Sequence, residues 1–240
     1  MKTLILASLL ACMSLAAAAG TFNVSPIRVG LSAQQVTMPL SITNDGDEAV
    51  VIQAQAMQWS QENGEDVYVA TDHILATPPI VTIPAHSKQT IRIGMRKKIS
   101  PDRELSYRIY LAEVPGAAKE DGIGVQMRLR IGIPVFITGV AATKPDLRWS
   151  LIASGPNAGK LKVRNSGNAH AQLADMRLLD IASGQPIARL SAPAYLLPGT
   201  TLEWPLEMVP GKSIGSEAIR LKAFMDAGEV NADLVPQTAN

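Results

Sequence analysis

The chain is 240 residues long, carries 22 Lys and Arg against 21 Asp and Glu for a net charge of +1, and contains a single cysteine. The charges are scattered and no basic tract is present, which excludes the electrostatic footprint of a nucleic-acid or anionic-membrane binder. With 47% hydrophobic residues the chain can bury a core without staples, as one large β domain or two of ordinary size.

The first element is a leader. Lys2 supplies a positive start, Leu4 to Ala18 is an almost unbroken apolar run, and Ala17-Ala18-Ala19 offers the small residues of a signal-peptidase site. Cleavage is expected after Ala19 or Gly20, so residues 1–19 form a signal peptide. The run is too short to span a bilayer as a helix. Leu9-Leu10-Ala11-Cys12 resembles a lipobox, in which Cys12 would be lipidated. Leu10 is a poor residue beside that cleavage point and the apolar run continues into Met13 and Leu15, so Cys12 reads better as part of the signal core. The mature protein is then exported and has no cysteine and no disulfide, despite an oxidising compartment.

Beyond the leader the pattern has period two. Phe22, Val24 and Pro26 alternate with mostly polar residues up to Arg28, and Val36, Met38, Leu40 and Ile42 follow in strict alternation up to the turn Asn44-Asp45-Gly46-Asp47. Further strands are expected at Val50 to Trp59, at Val67 to Val69 after the turn Glu62-Asn63-Gly64-Glu65, and at Ile80 to Ile83 after the break Pro78-Pro79. Thr90 to Met95, across the turn Pro84-Ala85-His86-Ser87, and Ser106 to Val114 complete this group.

The best-patterned segment runs from Ile123 to Ile137. Ile123, Val125, Met127, Leu129, Ile131, Ile133, Val135 and Ile137 occupy the odd positions, with Gln126, Arg128 and Arg130 among the even ones. Fully extended at about 3.3 Å per residue it would reach roughly 50 Å, long for a strand of a small sandwich. An apolar edge of that length aggregates unless something covers it, and self-association is one way to cap it.

Thr143-Lys144-Pro145-Asp146 reads as a linker. Strands resume at Leu147 to Ile152, Lys160 to Asn165, Ala169 to Leu179, Ile187 to Leu190, Thr201 to Leu206 and Ala218 to Met225, with Gly- and Asn-bearing turns between them; this spacing predicts a second sandwich. Asn231 to Asn240 reads as a frayed polar tail. The fold class is therefore all-β, with an N-terminal domain over 20–142 and a C-terminal domain over 143–240.

The search for chemistry is negative. His73, His86 and His170 are widely spaced, none lies at metal-ligand spacing from another, and no HExxH or CxxC motif is present, so no metal or other cofactor is expected. No Gly-x-Ser-x-Gly elbow marks a nucleophile, and Gly122-Ile123-Gly124 stands outside any βαβ context. The charged positions singled out are Arg28, and Arg128 with Arg130. A lone strand arginine is commonly a solvated side chain; alternatively its guanidinium can grip a carboxylate through two parallel hydrogen bonds.

Several segments, taken in order, resemble the periplasmic pilus and fimbrial assembly chaperones of the PapD-like family. They are Phe22-Asn23-Val24-Ser25-Pro26-Ile27-Arg28-Val29, then Ile74 to Pro84 with its Pro78-Pro79 pair, Gln89-Thr90-Ile91-Arg92-Ile93, and Pro101-Asp102-Arg103-Glu104-Leu105-Ser106-Tyr107-Arg108. Leu111-Ala112-Glu113-Val114-Pro115 follows. The resemblance implies two immunoglobulin-like sandwiches in a boomerang, a periplasmic location, and binding rather than catalysis. It implies pilus or fimbrial subunits as partners, held by donor-strand complementation and delivered to an outer-membrane usher. Ile123, Val125, Met127, Leu129 and Ile131 would fill the subunit groove. The resemblance also implies two basic residues that anchor the subunit's C-terminal carboxylate. Arg28 matches the first. The second is a strand lysine in the family; here an ungapped alignment favours Arg130, whereas aligning Ile133-Pro134-Val135-Phe136 with the family's strand end places an apolar residue there. The absence of a second-domain disulfide and of a long cysteine-bearing loop after Pro115 points to a divergent or archaic branch. The contrasting reading is a secreted sandwich that binds carbohydrate or forms a surface structure, which leaves the apolar strand without a purpose; a secreted hydrolase would need one of the three histidines.

Overall fold

A computed structural model describes residues 22–115, 128–139, 144–190 and 193–238. Among the described residues every regular element is a strand. The first ten are β1 (Phe22–Ser25), β2 (Val29–Leu31), β3 (Thr37–Asn44), β4 (Val50–Glu62), β5 (Glu65–Ala70), β6 (Ile74–Thr77), β7 (Ile80–Ile83), β8 (Ser87–Met95), β9 (Leu105–Glu113) and β10 (Arg130–Ile137). They form one sheet in the order β1-β3-β8-β6 and a second in the order β2-β10-β9-β4-β5, with β7 also on β4. The inward rows of both sheets close on one core that includes Leu40, Ile42, Ile91, Ile93, Ile109, Leu111, Ile133, Val135 and Ile137. Period-two patterning produces this directly, since alternate side chains of a strand leave on opposite faces.

The second group is β11 (Leu147–Gly155), β12 (Ala158–Asn165), β13 (Ala171–Asp180), β14 (Pro186–Leu190), β15 (Ala194–Leu196), β16 (Thr201–Pro205), β17 (Glu207–Met208), β18 (Ile219–Met225), β19 (Gly228–Leu234) and β20 (Gln237–Thr238). Its sheets run β16-β12-β11-β20 and β17-β14-β13-β18-β19, with β15 on β13. A separate core of Leu151, Leu161, Val163, Leu173, Met176, Leu178, Leu221 and their neighbours lies between them. The molecule is thus two immunoglobulin-like sandwiches.

Turn chemistry behaves as the sequence predicts at Asn63-Gly64, where φ is 53° and 84° and a two-residue hairpin joins β4 to β5. Two expectations are corrected. Pro84 to Ser87 does not close a hairpin: β7 pairs with β4 and β8 with β3, so the connection crosses between sheets. The C-terminal segment is not a frayed tail. Gly228–Leu234 pairs along its full length with β18, and Gln237–Thr238 lies parallel to β11. Its polar side chains are those of a one-sided edge strand, an alternation that a short window with few large apolar residues conceals. The short strands β6, β15 and β17 were also too brief to carry a readable period.

Candidate functional site: an open strand edge beside an aromatic joint

Strand β10 has two unequal edges. Along one it pairs antiparallel with β9 from Arg130↔Ala112 to Ile137↔Leu105. Along the other it meets β2, parallel, only from Val135↔Val29 to Ile137↔Leu31. The Glu113 N–H donates to the Leu129 carbonyl at 3.1 Å and the Thr138 N–H donates to the Leu31 carbonyl at 2.9 Å. Backbone groups alternate sides along a strand, so odd residues face β9 and even residues face the β2 side. Among the described residues no strand lies on that side of Arg130–Pro134. The N–H and C=O groups of Arg130 and Gly132 therefore point to an open edge. Pro134, which has no N–H, sits where none is used by the ladder.

The sequence-predicted plug residues divide here. Ile123, Val125 and Met127 lie outside the described residues. Leu129 precedes β10 and is 37% exposed, a large apolar side chain at the surface. Ile131 is half-buried against the N-terminal core, and from Ile133 onward the odd row is that core. The even row changes character too: Phe136 is 2% exposed, because its ring is claimed by the other domain.

That ring belongs to the joint between the sandwiches. Trp59, Phe136 and Leu197 are buried together, with Tyr68 and Tyr195 packed against them. Trp59 meets Tyr195 edge-on at 5.3 Å, and Phe136 stacks flat on His170 with centroids 3.6 Å apart. Buried Glu104 ties the same His170, accepting from its backbone N–H at 2.9 Å and meeting Nδ1 at 2.6 Å, while the Glu104 N–H donates to the Asn168 carbonyl. Gln61 completes the joint: its Nε2 donates to the Tyr195 carbonyl at 2.7 Å and its Oε1 accepts from Leu197 N–H and Thr200 Oγ1. Sequence reasoning missed this set. Glu104 was seen only within a motif, and His170 and Gln61 have no local pattern, since their partners are distant in sequence.

Arg28 is corrected in place. It is not in a strand but in the bend between β1 and β2, where the chain passes from one sheet to the other. Its Nη1 donates to Asp226 Oδ2 at 2.8 Å and its Nη2 to Gln172 Oε1, both on the second domain. Burial alone would lower the Arg28 pKa, but the hydrogen bond to Asp226, with Tyr195 and the Asp226 charge beside it, outweighs this and the net direction is up. Burial likewise pushes Asp226 up, and the Arg28 bond and charge overcome it, holding that carboxyl below its ordinary range. Ile27, beside it, is 80% exposed. Arg28 precedes Val29, the partner of Val135, so it stands where the open edge ends and β2 begins. Arg130 lies at the other end of the described strand, its guanidinium 3.9 Å from the Tyr110 ring centroid. Exposed Arg128 precedes it, outside β10.

The remaining titratable candidates are spread apart. His73 Nδ1 meets Tyr107 Oη at 3.2 Å, and exposed His86 meets Asp47 at 3.0 Å. No group of three or more His, Cys, Asp or Glu able to hold a metal ion occurs among the described residues.

Fold and site together define a two-sandwich β protein in which, among the described residues, β10 leaves part of one edge open beside a cation-bearing joint. Residues 21–139 match the family of pili and flagellar-assembly chaperones through its PapD N-terminal domain, and this half of the chain belongs to that family, which is one of periplasmic chaperones rather than enzymes. The chain is 26% identical over 126 residues to the chaperone protein PapD of Escherichia coli, an alignment that spans 51% of this chain and 51% of the relative. It superimposes with a TM-score of 0.66 and 21% identity on a chain of the CsuC–CsuE chaperone–tip adhesion subunit pre-assembly complex, from archaic chaperone-usher Csu pili of Acinetobacter baumannii. That match covers 90% of this chain and 99% of the other. It superimposes at 0.63 and 19% identity on a chain of the Salmonella enterica SafA pilin–SafB chaperone complex, over 90% and 97% of the two chains. These likenesses establish the fold.

Proposed function

We propose that the protein is a periplasmic chaperone that binds and stabilises pilus or fimbrial subunits by donor-strand complementation and hands them to an outer-membrane usher. The observation that carries this is the open edge of Arg130–Pro134, continuous with an exposed apolar residue and ended by a cation. A subunit that lacks a strand can use such an edge twice. Its backbone pairs with the Arg130 and Gly132 amide groups, and its open core accepts the odd-numbered side chains Ile123, Val125, Met127, Leu129 and Ile131. Each fully buried Leu- or Ile-sized side chain contributes about 1.5–3 kcal/mol, so binding needs no nucleotide or other cofactor.

The geometry also favours a direction. A strand laid on the open edge must stop where β2 takes over, beside Arg28. A cation there attracts a C-terminal carboxylate and repels an N-terminal amine, so the added strand runs parallel to β10, as β2 does. In the free protein Asp226 occupies Arg28, and a subunit carboxylate would compete with it. Arg130 stands four residues up the edge, about 13 Å from Pro134 at about 3.3 Å per residue, where it meets the body of the added strand. The pattern of residues 1–19 supports export, and absence of a partner leaves self-association through the same edge as the way to cap it.

The test is co-production, in a periplasm, with a fimbrial subunit domain lacking its last strand. A one-to-one complex on size exclusion is expected with the native chain, and a strongly reduced yield with Arg28→Ala. Recovery of the subunit only as aggregate in both cases would refute the proposal.

A further inference from the structure

A cavity of about 600 Å³ opens between the turn before β6 and the connection from β8 to β9; His73, Arg96, Lys97, Ile99, Pro101 and Leu105 are among its lining residues. Pockets that hold small molecules run from about 300 to 1,000 Å³. Among the described residues none of its lining lies on β10, so strand addition leaves this cavity unused. Two ties hold its frame. The Arg96 N–H donates to the His73 carbonyl at 2.8 Å, clamping the end of β8 to the turn before β6. Pro101 lies against Gly139, where a Cβ would come within 2.4 Å of the Pro101 carbonyl oxygen.

The lining divides into an apolar wall and a rim of donors. Ile99 and Leu105 are half-buried, each packed in part on the first-domain core, and half-buried Pro101 extends the wall. Arg96 and Lys97 stand exposed at the rim. Arg96 Nη1 meets Asp72 Oδ2 at 3.2 Å, so the carboxylate of the lining already has its partner. Lys97 makes no ion pair and no hydrogen bond among the described residues.

His73 adds a directed donor. Its Nδ1 meets Tyr107 Oη at 3.2 Å. Tyr107 is 1% exposed, and burial pushes its phenol pKa up, so the phenol keeps its proton. A buried O–H needs an acceptor, and among the described residues Nδ1 is the one within reach. The phenol therefore donates to Nδ1, and the proton of the neutral imidazole sits on Nε2. That Nε2–H has no partner among the described residues, on a ring that lines the cavity.

We infer that this cavity is a binding site for an anionic amphiphile, a carboxylate or phosphate head on a single apolar chain. The head accepts from His73 Nε2–H and from the Lys97 ammonium, bonds that the charge strengthens. The chain lies on Ile99, Pro101 and Leu105 and is removed from water there. A small inorganic anion would leave the wall uncovered, and a neutral chain would leave the donors unused. The site is independent of strand addition to β10. Sequence alone hides it, because the turn before β6 and the β8–β9 connection meet only when β6 pairs with β8.

The test titrates the full mature chain with decanoate and with decyl phosphate, beside decanol and acetate, and follows amide and imidazole resonances. At least one of the two anionic chains is expected to bind about tenfold more tightly than decanol, and the tighter of the two identifies the head; acetate should bind weakly. The Lys97, Ile99 and Leu105 amides and the His73 ring should shift. Lys97→Gln should weaken the anionic chain about fivefold. His73→Phe keeps a ring but removes the donor, and should lower the preference over decanol without changing decanol binding. Equal binding of decanol and the anionic chains would overturn the inference. So would shifts at Leu129 and Gly132 in place of those at His73 and Lys97, which would put the ligand on the open edge of β10. Failure of both anionic chains to bind would overturn it too.

Discussion

In each sandwich a buried asparagine ends a strand and ties the turn behind it. Asn44 donates to the carbonyls of Glu48, Ile83 and Pro84 and accepts from the Gly46 N–H; Asn165 donates to Ala169 and Leu196 and accepts from the Gly167 N–H. Each domain also places a short parallel strand on one edge, β2 on β10 and β20 on β11. The two diverge in how they leave their edges. The outer strand of the second domain, β19, carries charge along its length, with Asp233 paired to Arg220 and Glu229 to Lys222. Charge on an edge is a standard guard against strand addition. In the first domain the open part of β10 is flanked by apolar Leu129 and Ile27 and ends at a cation. The same architecture is guarded by charge at β19 and left open along the part of β10 proposed to bind.

The largest effects should come from the cores, which are separate. Ile109→Ala and Leu178→Ala remove fully buried side chains and should each cost about 2–5 kcal/mol, each lowering first the calorimetric transition of its own domain. Next is the joint. Phe136→Ala empties the ring stacked on His170 and should cost about 3 kcal/mol, and should separate the two domain transitions. If it instead lowers the first domain alone, the joint does not couple them.

A smaller effect is expected from the Arg28–Asp226 pair, which is about one-third exposed and correspondingly screened. Asp226 is held below its ordinary range despite burial, through Arg28. A carboxyl depressed on folding contributes stability that is complete above its unfolded-state value of about 3.9 and is lost as pH falls through the lower folded value. The melting temperatures of the native protein and Asp226→Asn should therefore differ at neutral pH and converge as pH falls through the lowered folded-state value of Asp226. In binding, Asp226→Asn should favour a carboxylate-ended peptide by freeing Arg28. The smallest effect on stability should come from Glu229→Val with Asp233→Val, but light scattering should then report association, because this change removes the guard from β19.

Much of this fold is legible in residue order. Strict alternation at Met38 to Ile42 and Ile131 to Ile137, and glycine turns at Asn63-Gly64, give strands and ends without reference to neighbours. What alternation cannot give is the sheet each strand joins. The crossing at Pro84 to Ser87, and the pairing of Gly228–Leu234, depend on partners far along the chain. The site divides in the same way. The apolar odd row and Arg28 are visible locally. Asp226, Gln172, and Glu104 with His170 arise only when separate strands are brought together.

The central claim is that the Arg130–Pro134 edge of β10 is where a partner strand adds, and amide hydrogen exchange tests it directly. In the free protein the Arg130 and Gly132 amides should exchange fast, while those of Ile131 and Ile133, facing β9, stay protected. On adding a peptide that alternates Val with Ser and ends in a free carboxylate, Arg130 and Gly132 should become protected and the other two should not change. If Arg130 and Gly132 are already protected in the free monomer, or stay unprotected with peptide bound, the partner binds elsewhere and the account fails.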